Sequence, residues 1–360
     1  MIRIAEKNVY GDDMQANASL VPELLRAGDF VRRTLEKKGM QMRPFSFWGG
    51  RKPEAAIFWD CPKIEDRELQ YCLREQVPFL LVISENMHLQ PNTTYKEIKP
   101  LAGRVLTYQE DEVDHQHVIW LPYGLDLQAG LGFRNSVSVQ GRPFLLGMLN
   151  SWKKSEMPGD LYAVRNRLAI EAGKILKEKM FLAGVGWGCP LVYQHKWQRS
   201  LAKRFPRFNR VIWGWPNQAY RGALPPGDGK LEALSRCEFA LVPENCSSLP
   251  GYITEKIFNA LFSGCIPIYQ GHPKCTRWLP SDIFLPMDCF SCGKKLVHFL
   301  QTMTRKKKDS LRDAGKAYLE SQSAKPFDQK TYAQTFLNTL EAILPGLGSL
   351  KSKARMENHF

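Results

Sequence analysis

Glu255 and Lys256 stand side by side just after Thr254, where the chain leaves a loop of turn formers and enters a stretch of helical period. An acid and a base at a helix start suit a nucleotide sugar. The carboxylate can grip sugar hydroxyls, the ammonium can neutralise a phosphate, and the free backbone N–H groups favour an anion. Glu85 is a second candidate. It follows the apolar run Phe79 to Ile83, and a partly buried carboxylate at a strand's carboxyl end can take a proton from a hydroxyl. His88 ranks below it for the same task.

The elements that must carry these residues are legible from period and punctuation. Phe239 to Val242 is a short apolar run, as in a parallel strand covered on both faces. Pro243 to Gly251 breaks it, Thr254 is placed as an N-cap, and Ile257, Ala260, Leu261 and Phe262 recur at helical spacing. Gly264 ends that helix and Ile266 to Tyr269 resumes as a strand. Upstream, Ile2 to Ile4, Ala55 to Phe58 and Phe79 to Ile83 read as strands, with helices over Glu23 to Lys38 and Glu65 to Arg74. A second series starts at Phe144 to Leu149, with a helix over Leu161 to Glu178 and a strand at Phe181 to Val185. The alternation predicts an α/β protein with parallel sheets. The Gly-, Ser- and Asn-rich stretch Gln128 to Arg142 reads as a linker. It separates an N-terminal domain over 1–140 from a second domain over 141–345, the latter closing with helices and followed by a basic, disordered tail over 346–360.

The 360 residues suffice for two domains, and their 44% hydrophobic content for two cores. No apolar run reaches the roughly 18 residues of a membrane span, and the first residues lack an apolar signal core, so the expected location is the cytoplasm. Nine scattered cysteines then read as reduced thiols, with Cys289 and Cys292 the one close pair. Net charge is +14, and Lys294 to Phe360 supplies half the excess, most densely at Arg305-Lys306-Lys307-Lys308. A second cluster, Lys196 to Arg210, has no acidic residue. Such clusters suit a peripheral contact with anionic membrane. With Trp197, Phe205 and Phe208 interleaved, the second also admits a single-stranded nucleic acid, but no recognition module accompanies it and none is expected as a partner. The absence of a G-x-x-x-x-G-K-[ST] loop, and of G-x-G-x-x-G after a strand, removes the main support for kinase and dehydrogenase readings.

The order Glu244-Asn245, spacer, Gly251-Tyr252-Ile253-Thr254-Glu255-Lys256-Ile257, then Ala260-Leu261, Gly264 and Ile266-Pro267-Ile268 resembles the signature of glycosyltransferase family 10, the α-1,3/4-fucosyltransferases. The likeness is sharp here and diffuse over most of 55–345. It implies a GT-B fold of bacterial type, two Rossmann-like α/β domains facing a central cleft with C-terminal helices. The implied activity is inverting transfer of L-fucose from GDP-fucose to O3 of an N-acetylglucosamine or related unit, in a surface glycan or glycolipid such as lipopolysaccharide. By the same resemblance Glu85 supplies the base, with Ser84 where the bacterial enzymes carry a glycine. Arg165 of the Arg165-Asn166 pair and Lys256 hold the diphosphate, Glu255 binds ribose or donor-sugar hydroxyls, and Asn245 and Tyr252 line that pocket. No Asp-x-Asp follows an apolar strand, so no metal ligand is assigned and no divalent cation is expected to be essential. Alternatives are another GDP-sugar as donor, or a non-catalytic relative that binds glycan.

Overall fold

The computed structural model describes residues 1–8, 22–85, 92–187, 219–225 and 229–344. They form two compact units. One comprises Met1–Leu127, Leu249–Tyr252 and the chain from Lys325 on; the other comprises Gln128–Ser248 and Ile253–Ala324.

The first unit is built on six parallel strands: β1 (Ile2–Asn8), β2 (Met40–Pro44), β3 (Ala55–Trp59), β4 (Phe79–Ile83), β5 (Arg104–Thr107) and β6 (Val118–Trp120). Their spatial order is β2-β1-β3-β4-β5-β6. Order reverses between β1 and β3, the switch point of a doubly wound sheet. β4 is buried along its whole length, which is why it reads as an unbroken apolar run. Helices α1 (Pro22–Glu36), α2 (Arg67–Arg74) and α3 (Asn92–Ile98) connect these strands. Asp66 caps α2, accepting from the N–H groups of Glu68 and Leu69.

The second unit carries β7 (Phe144–Leu149), β8 (Met180–Ala183), β9 (Cys237–Leu241), β10 (Ile266–Tyr269) and β11 (Leu285–Pro286), all parallel, in the order β11-β10-β9-β7-β8. The winding repeats that of the first sheet, and here the switch point lies between β7 and β9. Its helices are α4 (Leu127–Ser136), α5 (Tyr162–Leu176), α6 (Gly229–Ser235), α7 (Glu255–Phe262), α8 (Gly293–Thr302) and α9 (Arg305–Glu320). Leu146, Leu168, Leu182, Phe239, Ile268, Leu296 and Leu300 pack together as one core. Each such side chain contributes about 1.5–3 kcal/mol on burial.

Two sequence expectations change. The linker expected over Gln128 to Arg142 is helical through Ser136, because its glycine serves packing: a Cβ at Gly130 would overlap the Phe262 ring. The last helix, α10 (Gln329–Ile343), groups with the first unit although it follows the second in sequence. Its Tyr332, Phe336, Leu337 and Leu340 join Ile4, Leu35, Ile57 and Leu80 in one core, with Phe336 stacked on Trp59 at 5.5 Å.

Candidate active site

In the second unit the functional groups collect just beyond the carboxyl ends of β7 and β9. β9 stops at Leu241, yet pairing continues: the Val242 N–H donates to Ile268 O and the Glu244 N–H to Gln270 O at 2.8 Å. This places Glu244 at the sheet edge with its side chain 0% exposed. Four donors converge on that carboxylate. The Thr254 N–H reaches Oε1 at 2.8 Å, the Thr254 hydroxyl reaches Oε2 at 2.8 Å, Lys256 Nζ reaches Oε2 at 2.9 Å and Tyr269 OH reaches Oε1 at 3.3 Å. A buried carboxylate is tolerable only when paired and bonded in this way.

Thr254 does occupy the N-cap position of α7, but its hydroxyl makes no capping bond; it donates to Glu244 instead. Lys256 also donates to Asn245 Oδ1 at 3.3 Å. Burial alone would lower the Lys256 pKa, but the charges of Glu244 and Glu255 outweigh it and hold the ammonium above its ordinary range, with Arg165 opposing them. Arg165, Asn245, Glu255 and Lys256 therefore share one electrostatic neighbourhood at the switch point.

α5 brings Arg165 there. The Leu161 N–H donates to Asn245 O at 3.1 Å, tying the start of α5 to the loop after β9. Arg165 is 2% exposed; its Nη2 donates to Ser151 O at 3.0 Å and its guanidinium lies 4.4 Å over the Tyr162 ring. Asn166 Nδ2 donates to Lys153 O at 2.9 Å, so the Arg-Asn pair fastens the loop that follows β7. Arg167 is exposed on another face of the helix.

Tyr252 belongs with Glu85, in the first unit. Its hydroxyl lies 3.4 Å from Glu85 Oε1, Tyr108 OH donates to Glu85 O at 3.2 Å, and the two tyrosine rings are 5.1 Å apart. Gly251 makes this approach possible. Its φ is +76°, and a Cβ there would overlap the Tyr108 carbonyl oxygen. His88 lies outside the described residues, as does the cluster Lys196 to Arg210.

Sequence reasoning passed over Asp60, which follows β3 much as Glu85 follows β4. That position, an acid directly after a buried strand, was the available signal. Asp60 is 3% exposed, and its Oδ1 accepts the N–H groups of Ser84 at 2.8 Å and Glu85 at 2.9 Å. It thereby fixes the backbone that carries Glu85. Burial is the main cause that raises its pKa from 3.8 to about 6, and the Glu85 charge adds to this, against the two N–H bonds. A raised carboxyl pKa favours the protonated fold, so this contribution to stability is full below 3.8 and lost as pH rises to about 6. The amount is about 3 kcal/mol. Asp60→Asn keeps an acceptor for both N–H groups and cannot ionise. Unfolding titrations across this range should show the variant gaining on the parent as pH rises; parallel curves would refute the assignment.

Among the described residues, no group of three or more His, Cys, Asp or Glu could hold a metal ion. Cys289 is exposed and Cys292 half-buried, both as free thiols. No helix among these residues is long and apolar enough to cross a membrane.

Two doubly wound α/β units with helices at the C-terminus make up the GT-B class of fold. A solved α1,3-fucosyltransferase superposes with a TM-score of 0.53 at 15% identity, covering 95% of this chain and 90% of that one. An α-glucosyltransferase bound to UDP-glucose and DNA gives 0.55 at 10% identity, covering 94% and 98%. At these identities the likeness is one of fold. Residues 216–313 match the family model described as glycosyltransferase family 10 (fucosyltransferase), C-terminal. Human 4-galactosyl-N-acetylglucosaminide 3-alpha-L-fucosyltransferase (Homo sapiens) is 40% identical over 85 residues, 23% of this chain and 23% of its own length. Human 3-galactosyl-N-acetylglucosaminide 4-alpha-L-fucosyltransferase gives the same identity and coverage. Residues 216–313 are therefore similar to the C-terminal part of glycosyltransferase family 10, and the alignment spans less than a quarter of the length of these relatives.

Proposed function

We propose that this chain is an inverting fucosyltransferase that moves L-fucose from GDP-fucose to a hydroxyl, O3 of an N-acetylglucosamine or related unit, in a surface glycan such as lipopolysaccharide. The observation that carries this reading is the buried Glu244–Lys256 pair at the switch point of the second sheet, inside the segment that matches the family. A relative of the same fold has been solved with GDP-fucose.

The donor needs cations where charge develops on the departing diphosphate. Lys256, with 13% of its side chain exposed, is the group that touches the diphosphate. Arg165, which holds the loop after β7 through Ser151, is the second cation set to meet the diphosphate. Glu255, half-buried at the helix start, accepts from sugar hydroxyls, and Asn245 orients Lys256. Glu85 takes the proton from the acceptor hydroxyl. The oxygen then bonds to the anomeric carbon on the face opposite GDP, and the electrons of the broken C–O bond pass to the β-phosphate. Fixed cations take the place of a divalent metal in this scheme. It further places the enzyme in the cytoplasm, working at a membrane that carries the acceptor.

Calorimetric titration with GDP, GDP-fucose, UDP and ADP, with and without chelator, tests the donor. We expect binding of GDP and GDP-fucose alone, unchanged by chelator. Equal binding of all nucleotides, or of none, would overturn the reading.

A further inference from the structure

The run Arg305 to Lys308 forms the first turn of α9, where no acidic residue accompanies it. Cations there oppose the helix dipole, so helix stability does not account for the placement. Along the same face, three, seven and eleven residues on from Arg305, come Lys308, Arg312 and Lys316. With Arg134 and Arg142 they line an open cavity of about 940 Å³.

Two of these guanidinium groups are more than nine-tenths buried. Arg134 and Arg312 are each 8% exposed. Arg134 Nη2 donates to Arg312 O at 2.9 Å, but Arg134 Nη1 and Arg312 Nε have no hydrogen-bond acceptor. Three carboxylates face the six cations. Glu238 is engaged by Lys308 at 2.6 Å, while Asp309 lies 3.5 Å from Arg312 and 3.7 Å from Arg305; Asp313 is the third. Burial, then the Arg142 and Arg312 charges, lowers the pKa of Arg134, the mark of a crowded positive centre. Arg142 has a structural task, donating to Cys237 O at 2.6 Å and to Ser263 O, the C-cap of α7, at 2.8 Å. That task leaves the buried, unpartnered Arg134 Nη1 and Arg312 Nε unexplained.

The place matters too. Cys237 begins β9 and Ser263 precedes β10, so this cavity lies at the amino ends of the strands. Glu244 and Lys256 lie beyond their carboxyl ends, so one nucleotide sugar cannot engage both.

We propose that this cavity is a second anion site, which takes a phosphoryl group as a monoester or diphosphate. Guanidinium forks match phosphoryl oxygens in geometry and charge, and desolvation strengthens the pairing. The group is supplied either by a membrane phospholipid or by a soluble phosphate compound. The test uses the full chain saturated with GDP and titrated with inorganic pyrophosphate. Parallel co-sedimentation uses vesicles of phosphatidylcholine alone and of phosphatidylcholine mixed with phosphatidylglycerol. Arg312→Gln removes a buried fork, and Arg305→Gln with Lys316→Gln removes exposed charge without touching the core.

We expect each variant to weaken pyrophosphate binding about tenfold with GDP affinity unchanged. If the variants also release the chain from phosphatidylglycerol vesicles, the source is a lipid headgroup; if pyrophosphate alone responds, it is a soluble phosphate. Should Arg312→Gln fail to fold, the double variant decides. Absence of both pyrophosphate and vesicle binding, or binding that neither variant alters, would overturn the proposal.

Discussion

Glu85→Gln should lower the rate of sugar transfer by about 100- to 10,000-fold, the usual worth of a general base, while GDP affinity stays within a factor of about two. The amide matches the carboxylate in size, and its oxygen can still meet Tyr252 OH, so the surroundings have no reason to move. Only the capacity to take a proton is lost. Single-turnover kinetics with saturating donor isolate that step. Transfer at the parental rate would remove Glu85 as base, whatever the fate of the donor assignment. Asp60 adds a check on the same group: because it holds the Glu85 N–H, Asp60→Ala should disturb transfer while Asp60→Asn preserves it.

The second large effect concerns stability. Glu244→Ala leaves Lys256 buried without its counter-charge and removes the acceptor of the Thr254 N–H and hydroxyl. Breaking a buried pair from one side costs about 3–5 kcal/mol. Removing both charges spares the uncompensated ammonium, so Glu244→Leu with Lys256→Met should recover the charge part of that loss, while the Thr254 and Tyr269 donors stay without their acceptor, and should bind no GDP. Denaturant unfolding of the three proteins, followed by GDP titration, separates the roles. A cost below about 1 kcal/mol for Glu244→Ala would show that the pair does not hold the start of α7. Stability recovered in the double variant together with intact GDP binding would show that Lys256 does not touch the donor.

Glu244 illustrates how function was only partly visible beforehand. Glu244 stood in the signature without a task, and the resemblance pointed to Asn245, Glu255 and Lys256 further on. Its partners lie 10, 12 and 25 residues away, and none is marked locally as a partner. Asp60 escaped notice for the same reason, since the N–H groups it accepts are 24 and 25 residues on. The resemblance set Tyr252 in the donor pocket; its contact with Tyr108 and Glu85 was not legible, because it depends on Gly251 and a positive φ that no period reveals.

What the amino-acid order determined by itself was local. Runs such as Phe79 to Ile83 and Ile266 to Tyr269 are strands because parallel strands covered on both faces need unbroken apolar sequence, and both are buried throughout. The helix Glu255–Phe262 followed from spacing and from Gly264, at φ +69°, which closes it. Tertiary structure alone decided which ends of these elements meet. It carried α10 to the core of the first unit and turned Gly130 from a presumed linker into a packing contact. It also set Arg134 beside a carbonyl 178 residues away. Periodicity reports which face of an element is apolar; only closing the chain reveals which polar groups are then forced to satisfy one another.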